Sequence, residues 1–566
     1  MRGCLDNDEG HRSVALASHI ERYRQIAAVL ARHGFGFILG ASGLDRFEVA
    51  ALVAHTNGRS DAGGNAGPPQ LRSALEELGP TFVKLGQLLS TRSDLLPPAY
   101  VAELQKLQDS ARPVPVKEIR DAIEQELGAP AEKVFAQFTA RPLASASIGQ
   151  AHAATMKDGM AVVVKVRRPG IVTQVNEDLE IMQNLAVQAS RHWSAASDFN
   201  IVGITDEFST SLRFELDYLH EGHNAERFAE NFASNPGIHI PAIRWETTTS
   251  RVLTIEKVTG IRIDDVAALD AAGIDRRALA NRAVDAVAQM ILEDGFFHAD
   301  PHPGNMFVEP DGTIGLIDFG MVGEIDDDLR DRLVALLLAF GRNDAGRIST
   351  AVVNLSVGQE NVDRVRLKAD LTRFLAKYHN LSLSELHIGP LVSELVAVLR
   401  NNHLQLRQEI ALLVKMLVMV EGMGVTLDPA FTLSEALRPY TQKLLAEKYS
   451  LKAVVKNLGK AGLSVAELGA ELPDRLRSLL DVVDTTGFEV HLRAQELEPL
   501  VGRAEVIGNR LVAGVIAAAL IRGVGEFAAT DRQRWQAWER PLMGAGVGLA
   551  GILSGYLLWT ARRKRP

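Results

Sequence analysis

Asp300, Asn305 and Asp318 are the residues whose types and spacing could do chemistry. All three fall in one stretch of 26 residues, Gly295 to Gly320, reading GFFHADPHPGNMFVEPDGTIGLIDFG. An Asp, an Asn five positions on, and then an Asp-Phe-Gly triplet form the set that phosphoryl transfer requires. The first carboxylate belongs at the acceptor oxygen; the Asn and the second Asp belong on a metal that neutralises phosphate charge. Met306 to Val308 and Thr313 to Ile317 read as two short apolar strands around the turn Glu309-Pro310-Asp311-Gly312. Such a hairpin returns the second Asp to the Asn. A proline-stiffened loop and a chance strand end would explain either half alone, but order and spacing together favour a site.

A phosphate site also needs a cation. Strands are expected over Ala151 to Met156 and Met160 to Arg167, joined by a Lys-Asp-Gly turn. The second puts Lys165 among β-branched residues, on one face with Val163 and Arg167. A lysine is costly to bury without an anion, so a phosphate or a carboxylate would satisfy it; an edge-strand surface lysine is the plain alternative. Just before lies a small-residue loop, Ala144-Ser145-Ala146-Ser147-Ile148-Gly149-Gln150. Helices are expected over Val172 to about Arg191 and Asp206 to Ala233, and Glu215, or an acid near it, is the expected carboxylate partner of Lys165. Strand-like Arg251 to Gly260 should lead between two lobes, where in a kinase layout the backbone near Glu256 to Val258 meets adenine.

The remaining segments position these groups. Residues 1–70 read as a helical region and a Gly/Asn/Pro-rich linker, His55 to Gln70. Residues 71–134 form a helical extension in which Lys84 and Gln87 share a helix face and Gly86 permits close approach of a backbone or ligand; taken alone this is a solvated face. Residues 135–260 make a strand-bearing lobe and residues 261–500 a helical lobe. In the latter Met416, Met419 and Met423 make a stripe at helical spacing, read as core packing. Residues 501–566 read as a transmembrane hairpin. Leu542 to Thr560 is an uncharged run of 19 residues, about 28 Å as a helix against a hydrocarbon core of about 30 Å. Arg562, Arg563, Lys564 and Arg565 follow it and favour a cytoplasmic C-terminus. The earlier run, Val506 to Ala529, is interrupted by Arg510, Arg522 and Glu526 and is as readily a surface or oligomer helix.

Composition narrows the classes. Across 566 residues the hydrophobic share is 46%, which hints at a membrane-associated part. A net charge of −9 argues against a nucleic-acid binder. Cys4 is the single cysteine, so neither a disulfide framework nor a cysteine metal site exists. The acidic N-terminus lacks the order of a signal peptide, and the body is expected in the cytoplasm.

The chain resembles the UbiB family of atypical kinase-like proteins, the coenzyme-Q-associated group that includes the aarF-type bacterial members. The resemblance lies in KLGQ (Lys84 to Gln87), ASASIGQAH (Ala144 to His152), VVVKVRRPG (Val162 to Gly170), FELDYLHEGHNAERF (Phe214 to Phe228), GFFHADPHPGN (Gly295 to Asn305) and the Asp-Phe-Gly triplet. It implies an α+β, two-lobed, helix-rich kinase-like fold with an N-terminal helical extension and C-terminal membrane helices. It further implies ATP and Mg2+ as cofactors, with Lys165 at nucleotide phosphates, Asn305 and Asp318 on the metal, and Asp300 as the catalytic-loop aspartate. Glu215 and Asp217 match the family's E-x-D pair, and Lys84 and Gln87 its K-x-G-Q motif, which in relatives covers the active site and restricts protein substrates. Ala144 to Gln150 match the Ala-rich loop that stands where most kinases carry glycines, with Ala144, Ser145, Ala146, Ser147 and Ile148 expected at the nucleotide. Ala and Ser restrict positive φ and close approach to phosphate, so ATP should be held differently, with hydrolysis expected ahead of transfer and Ala146→Gly expected to change ATP affinity. The implied role is support of isoprenoid-quinone synthesis at the cytoplasmic face of the inner membrane, with membrane lipids or quinone precursors, quinone-biosynthesis enzymes and a second copy of the chain as candidate partners. A small-molecule phosphotransferase of the aminoglycoside or choline kinase type, suggested by His298-x-Asp300-x-x-x-x-Asn305, and a non-catalytic lipid-binding scaffold are the competing readings.

Overall fold

The structure, a computed structural model, describes residues 6–36, 67–107, 111–192, 200–357, 362–378 and 387–440. The linker up to residue 66 and both runs expected to cross a membrane, Val506 to Ala529 and Leu542 to Thr560, lie outside those residues.

Helices α1 (Asp6–Arg32), α2 (Pro68–Leu78), α3 (Pro80–Thr91) and α4 (Pro98–Leu104) open the chain. The helical extension expected from residue 71 is present as several helices, broken at Pro80 and Pro98. Each proline starts a new helix, where its missing N–H leaves nothing unpaired, and Gly79 at φ +100° makes the turn between α2 and α3. After α5 (Val116–Leu127) and α6 (Ala131–Val134) comes the first sheet, with β1 (Gln137–Phe138), β2 (Ala144–Ser145), β3 (Gly149–Thr155) and β4 (Ala161–Arg167). Helices α7 (Ile171–His192), α8 (Ile201–Glu215) and α9 (Tyr218–Asn231) follow, then β5 (Ile238–His239) and β6 (Val252–Glu256). The first sheet is antiparallel in the order β1-β3-β4-β6, with β2 beside β3. Period-two alternation divides β4: Val162, Val164 and Val166 are fully buried against Ile119, Ile123 and Phe135, while Val163, Lys165 and Arg167 face the other way.

The helix expected over Asp206 to Ala233 is broken at Asp217. That side chain accepts the Leu219 N–H at 3.0 Å, capping α9 and restarting the helix in a new direction. This turn matters, because α9 carries the partner of Lys165.

The second lobe begins at β7 (Ile261–Arg262), so residues 257–260 connect the sheets. Helices α10 (Val266–Ala271) and α11 (Arg276–Ala288) precede β8 (Phe296–His298), β9 (Met306–Val308), β10 (Ile314–Leu316) and β11 (Val322–Glu324). The hairpin expected at Met306 is present: Met306 pairs with Leu316 and Val308 with Ile314, antiparallel, and Gly312 turns at φ +84°. Helices α12 (Asp327–Gly341), α13 (Ala345–Leu355), α14 (Arg364–Tyr378), α15 (Ile388–Asn401), α16 (Gln408–Leu427) and α17 (Leu433–Ala436) follow. The lobe expected to be helical over residues 261–500 also holds a two-residue strand pair, β12 (Ser356–Val357) with β13 (Gln405–Leu406), too short to leave a periodic signal.

By length and composition α16 alone among the described helices could cross a membrane, but it is a core helix. Met416, Val420 and Met423 are buried in the cluster that also holds Phe296, Phe319 and Met306, in keeping with the core reading of the methionine stripe; Met419 is half-buried. The protein therefore has the two-lobed, helix-rich α+β architecture, with an extension of α1 to α4 packed on α7 and α8 through Leu75, Phe82, Val175, Leu179 and Phe208.

Gly86 serves this packing. A Cβ there would stand 2.3 Å from Leu107 Cδ1 and 2.8 Å from Leu75 Cδ1, so the close approach is by leucine side chains of the extension itself. Gly86→Ala should overpack the extension and cost about 1–3 kcal/mol. Thermal unfolding reads it, and an unchanged midpoint would show that the leucines can move aside.

Candidate functional site

The site is built at the junction of the lobes around Lys165. Its place on the less buried face of β4 points the ammonium away from the valine core and toward α9. There Glu221 meets it at 2.5 Å. Glu221 shares the buried face of α9 with Ala225 and Phe228, one and two turns on, which is an unusual position for an acid unless a cation faces it. From the second lobe Asp318 Oδ2 reaches the same nitrogen at 3.4 Å. Burial opposes the charge on Lys165, but the Asp318 and Glu221 carboxylates outweigh it and hold the ammonium above its ordinary range. The two carboxylates share unequally. Burial pushes the Glu221 carboxyl up against the pull of Lys165, while Asp318, despite partial desolvation, is held below the usual carboxylate range by Lys165 and the Gly320 N–H.

Glu215, expected as a partner of Lys165, pairs instead with Lys84 of α3. The correction has a geometric cause. Glu215 ends α8 on the far side of the break at Asp217, whereas Glu221 lies one turn into α9. The signal for Glu221 was in the sequence, as an acid at helical spacing with apolar residues.

Opposite Lys165, β8 and the loop after it hold Asp300. His298 is buried and neutral: burial pushes its ring below the usual range in spite of nearby Asp300 and Asp318. Its Nδ1 accepts the Asp300 N–H at 3.1 Å, so Nε2 carries the proton and donates to the Asp318 carbonyl. One ring thus ties the loop to the Asp-Phe-Gly triplet. Phe319 is fully buried, 5.4 Å from the Phe228 ring, and its carbonyl accepts from Asn224 Nδ2 at 2.9 Å. The hairpin register continues outward, with the Ile317 N–H donating to the Asn305 carbonyl at 3.1 Å, which sets Asn305 and Asp318 at the same end. Asn305 Nδ2 donates to the Asp300 carbonyl at 3.3 Å and leaves its amide oxygen as the atom it can offer a metal. Asp300 Oδ1 accepts from Lys415 of α16 at 2.8 Å, a contact with no sequence-local signal.

The other expected residues fall around this centre. Asp217 is the helix cap described above. Gln87 Nε2 reaches the Leu107 carbonyl at 3.4 Å, within the extension. Glu256, at the end of β6, accepts the Ala242 N–H at 3.1 Å and lies 3.5 Å from His239, so its side chain is occupied at the lobe connection. The Ala-rich loop turns in on itself. Ala146 N–H donates to the Gly149 carbonyl at 2.8 Å, and the Ala146 carbonyl and the Ser145 hydroxyl both accept from Arg168 at 2.8 Å. Ser147 and Ile148 are buried, Ile148 in the cluster with Phe82 and Ile171, so Ile148 points into the extension rather than toward Lys165. Ala144 lies in β2.

The donor set suits a small hard cation. An amide oxygen and an ionised carboxylate at one hairpin end are the few oxygen ligands Mg2+ takes from a protein when phosphates and waters supply the rest. Asp318 retains 46% side-chain exposure, so it is open to such a ligand while bonded to Lys165.

The neutral His298 has a measurable consequence. A base whose folded pKa is depressed binds fewer protons than in the unfolded chain, so its contribution is fully favourable above about pH 6.5 and declines as pH falls below that value. Denaturant unfolding should show stability dropping between pH 7.5 and 5.5 by up to about 1.4 kcal/mol per unit on account of this ring. His298→Gln should flatten the drop; equal losses in both proteins would mean the ring is charged when folded.

Comparison with known proteins agrees with this geometry. Residues 106–352 match the ABC1 atypical kinase-like domain and residues 371–432 match the UbiB helical domain. A probable protein kinase UbiB of Marinobacter nauticus is 35% identical over 422 residues, covering 74% of this chain and 77% of that one. A protein of the same description from Xanthomonas campestris pv. campestris is 32% identical over 552 residues, covering 95% and 99%. An uncharacterized protein of Synechocystis sp. is 34% identical over 439 residues, covering 76% and 75%. The chain belongs to the UbiB family of ABC1 atypical kinase-like proteins.

Proposed function

We propose that the protein is an Mg-ATP-dependent kinase-like ATPase that works at a membrane in support of isoprenoid-quinone synthesis. The observation that carries the nucleotide reading is Lys165 held between Glu221 and Asp318 across the junction of the lobes. Lys165 would bind nucleotide phosphates, with Glu221 fixing its position. Asn305 and Asp318 would hold Mg2+, which when bound supplies positive charge to the phosphate oxygens. Asp300 would orient the attacking water or hydroxyl. The Ala-rich loop spends the Ala146 N–H on the Gly149 carbonyl, so it has one backbone donor fewer to offer phosphate than an open glycine-rich loop. This favours hydrolysis over efficient transfer to a protein. Lys84 paired with Glu215 lays the extension beside the site, which supports a small or lipid acceptor. The membrane and quinone parts rest on the apolar runs near the C-terminus and on the description UbiB borne by relatives.

Thermal unfolding with saturating Mg-ATP tests the site. Ligand at a hundred times its dissociation constant stabilises by about 2.7 kcal/mol, so the wild-type midpoint should rise by several degrees and that of Asp318→Asn should not. Equal rises in both would favour a scaffold with a degenerate pocket. The membrane role is read by phosphate release from the full chain with and without anionic liposomes and quinone-precursor analogues. Stimulation by either is the expected result; a rate indifferent to both, alongside a phosphorylated small metabolite, would favour the small-molecule phosphotransferase.

A further inference from the structure

The loop from His298 to Asn305 reads HADPHPGN and contains no lysine or arginine. Charge that develops on a transferred phosphoryl group is stabilised by cations within reach, and Lys165 is already engaged by Glu221 and Asp318. Another cation arrives from 115 residues downstream, where Lys415 Nζ lies 2.8 Å from Asp300 Oδ1.

Lys415 is the single basic residue of α16, QEIALLVKMLVMVEGMGVTL. The other two charges of that helix have structural work. Glu409 lies in the first turn, where the helix favours an anion, and Glu421 accepts the N–H groups of Ile388 and Gly389 at 2.8 and 2.6 Å, starting α15. Lys415 caps nothing. Its neighbours Ala411, Leu412 and Met416 are buried, and Asp300 is its ion partner among the described residues. A lysine in the middle of so apolar a helix is costly unless an anion awaits it.

Asp300 does not need Lys415 to stay in place. Its N–H is held by His298 and its carbonyl by Asn305. Both side chains of the pair remain partly open, 22% for Lys415 and 36% for Asp300, so they can part without crossing the core.

We propose that Lys415 is a second phosphate-binding cation of this site, delivered by the helical domain: it rests on Asp300 in the ligand-free protein and turns to the terminal phosphate of a bound nucleoside triphosphate, releasing the carboxylate to orient the attacking oxygen. The assignment rests on the nucleotide reading above and adds to it the element that senses the third phosphate. It also makes triphosphate recognition depend on α16 being docked against the catalytic loop.

Calorimetric titration of the full chain with Mg-ADP, and with the magnesium complex of a β,γ-imido ATP analogue, tests it in the wild type, Lys415→Met and Lys415→Arg. Methionine keeps the stem and its packing while removing the charge. Loss of one charge-assisted contact should weaken the triphosphate analogue about tenfold and leave ADP within about twofold. Lys415→Arg should recover most of the difference; Lys415→Gln repeats the test if the methionine protein does not fold. An unchanged ratio of ADP to analogue affinity, with or without a lower unfolding midpoint, would make Lys415 a mere tether between α16 and the loop and overturn the proposal. Failure of the wild type to bind either nucleotide would instead overturn the nucleotide reading, and this proposal with it.

Discussion

One half-buried cation organises this molecule. Lys165 is largely withdrawn from water, so the fold brings anions to it, and it brings them from two directions. Glu221 comes from a helix of the first lobe and Asp318 from the end of a hairpin in the second. A strand, a helix and a hairpin that are each stable for local reasons are thereby locked in one relative placement. Burial pushes the Glu221 carboxyl up, whereas Lys165 and the Gly320 N–H hold Asp318, the more exposed of the two, below the usual carboxylate range. The contact that joins the lobes thus also leaves the Asp318 carboxylate partly exposed at the junction.

Around that centre charged pairs fix the neighbouring elements. The extension is tied at one end to the first lobe by Lys84 and Glu215. At the other end Arg92 and Asp94, both buried, bond the carbonyl and N–H of Leu406 at 3.1 and 2.9 Å, and Arg400 reaches the Ser93 carbonyl at 2.9 Å. Such buried charged groups are tolerable only while every one is paired, so the extension docks as a unit or not at all. The Ala-rich loop is likewise held, folded inward on Gly149 and Arg168. The helical domain adds Lys415 to Asp300, so the 298–305 loop is held from α16 as well as by its own His298 and Asn305 bonds.

The sequence alone determined the chemistry and its local scaffolding. The intervals from Asp300 to Asn305 and to Asp318, the hairpin between them, the alternation of β4 and the methionine face of α16 are short-range properties, set by period-two and period-3.6 packing and by turn residues. Only the tertiary structure decided the partners. Lys165 could be placed on a partly buried face, but whether Glu215 or a neighbouring acid would meet it depended on how Asp217 broke one expected helix into two. Ile148 belonged to a loop expected at the nucleotide, and packing turned it into the extension. Lys415 gave no local sign beyond being the single basic residue of an apolar helix. Local pattern reports which face a residue occupies; which residue lies opposite follows from the sum of many long-range contacts, and electrostatic pairs are settled at that last stage.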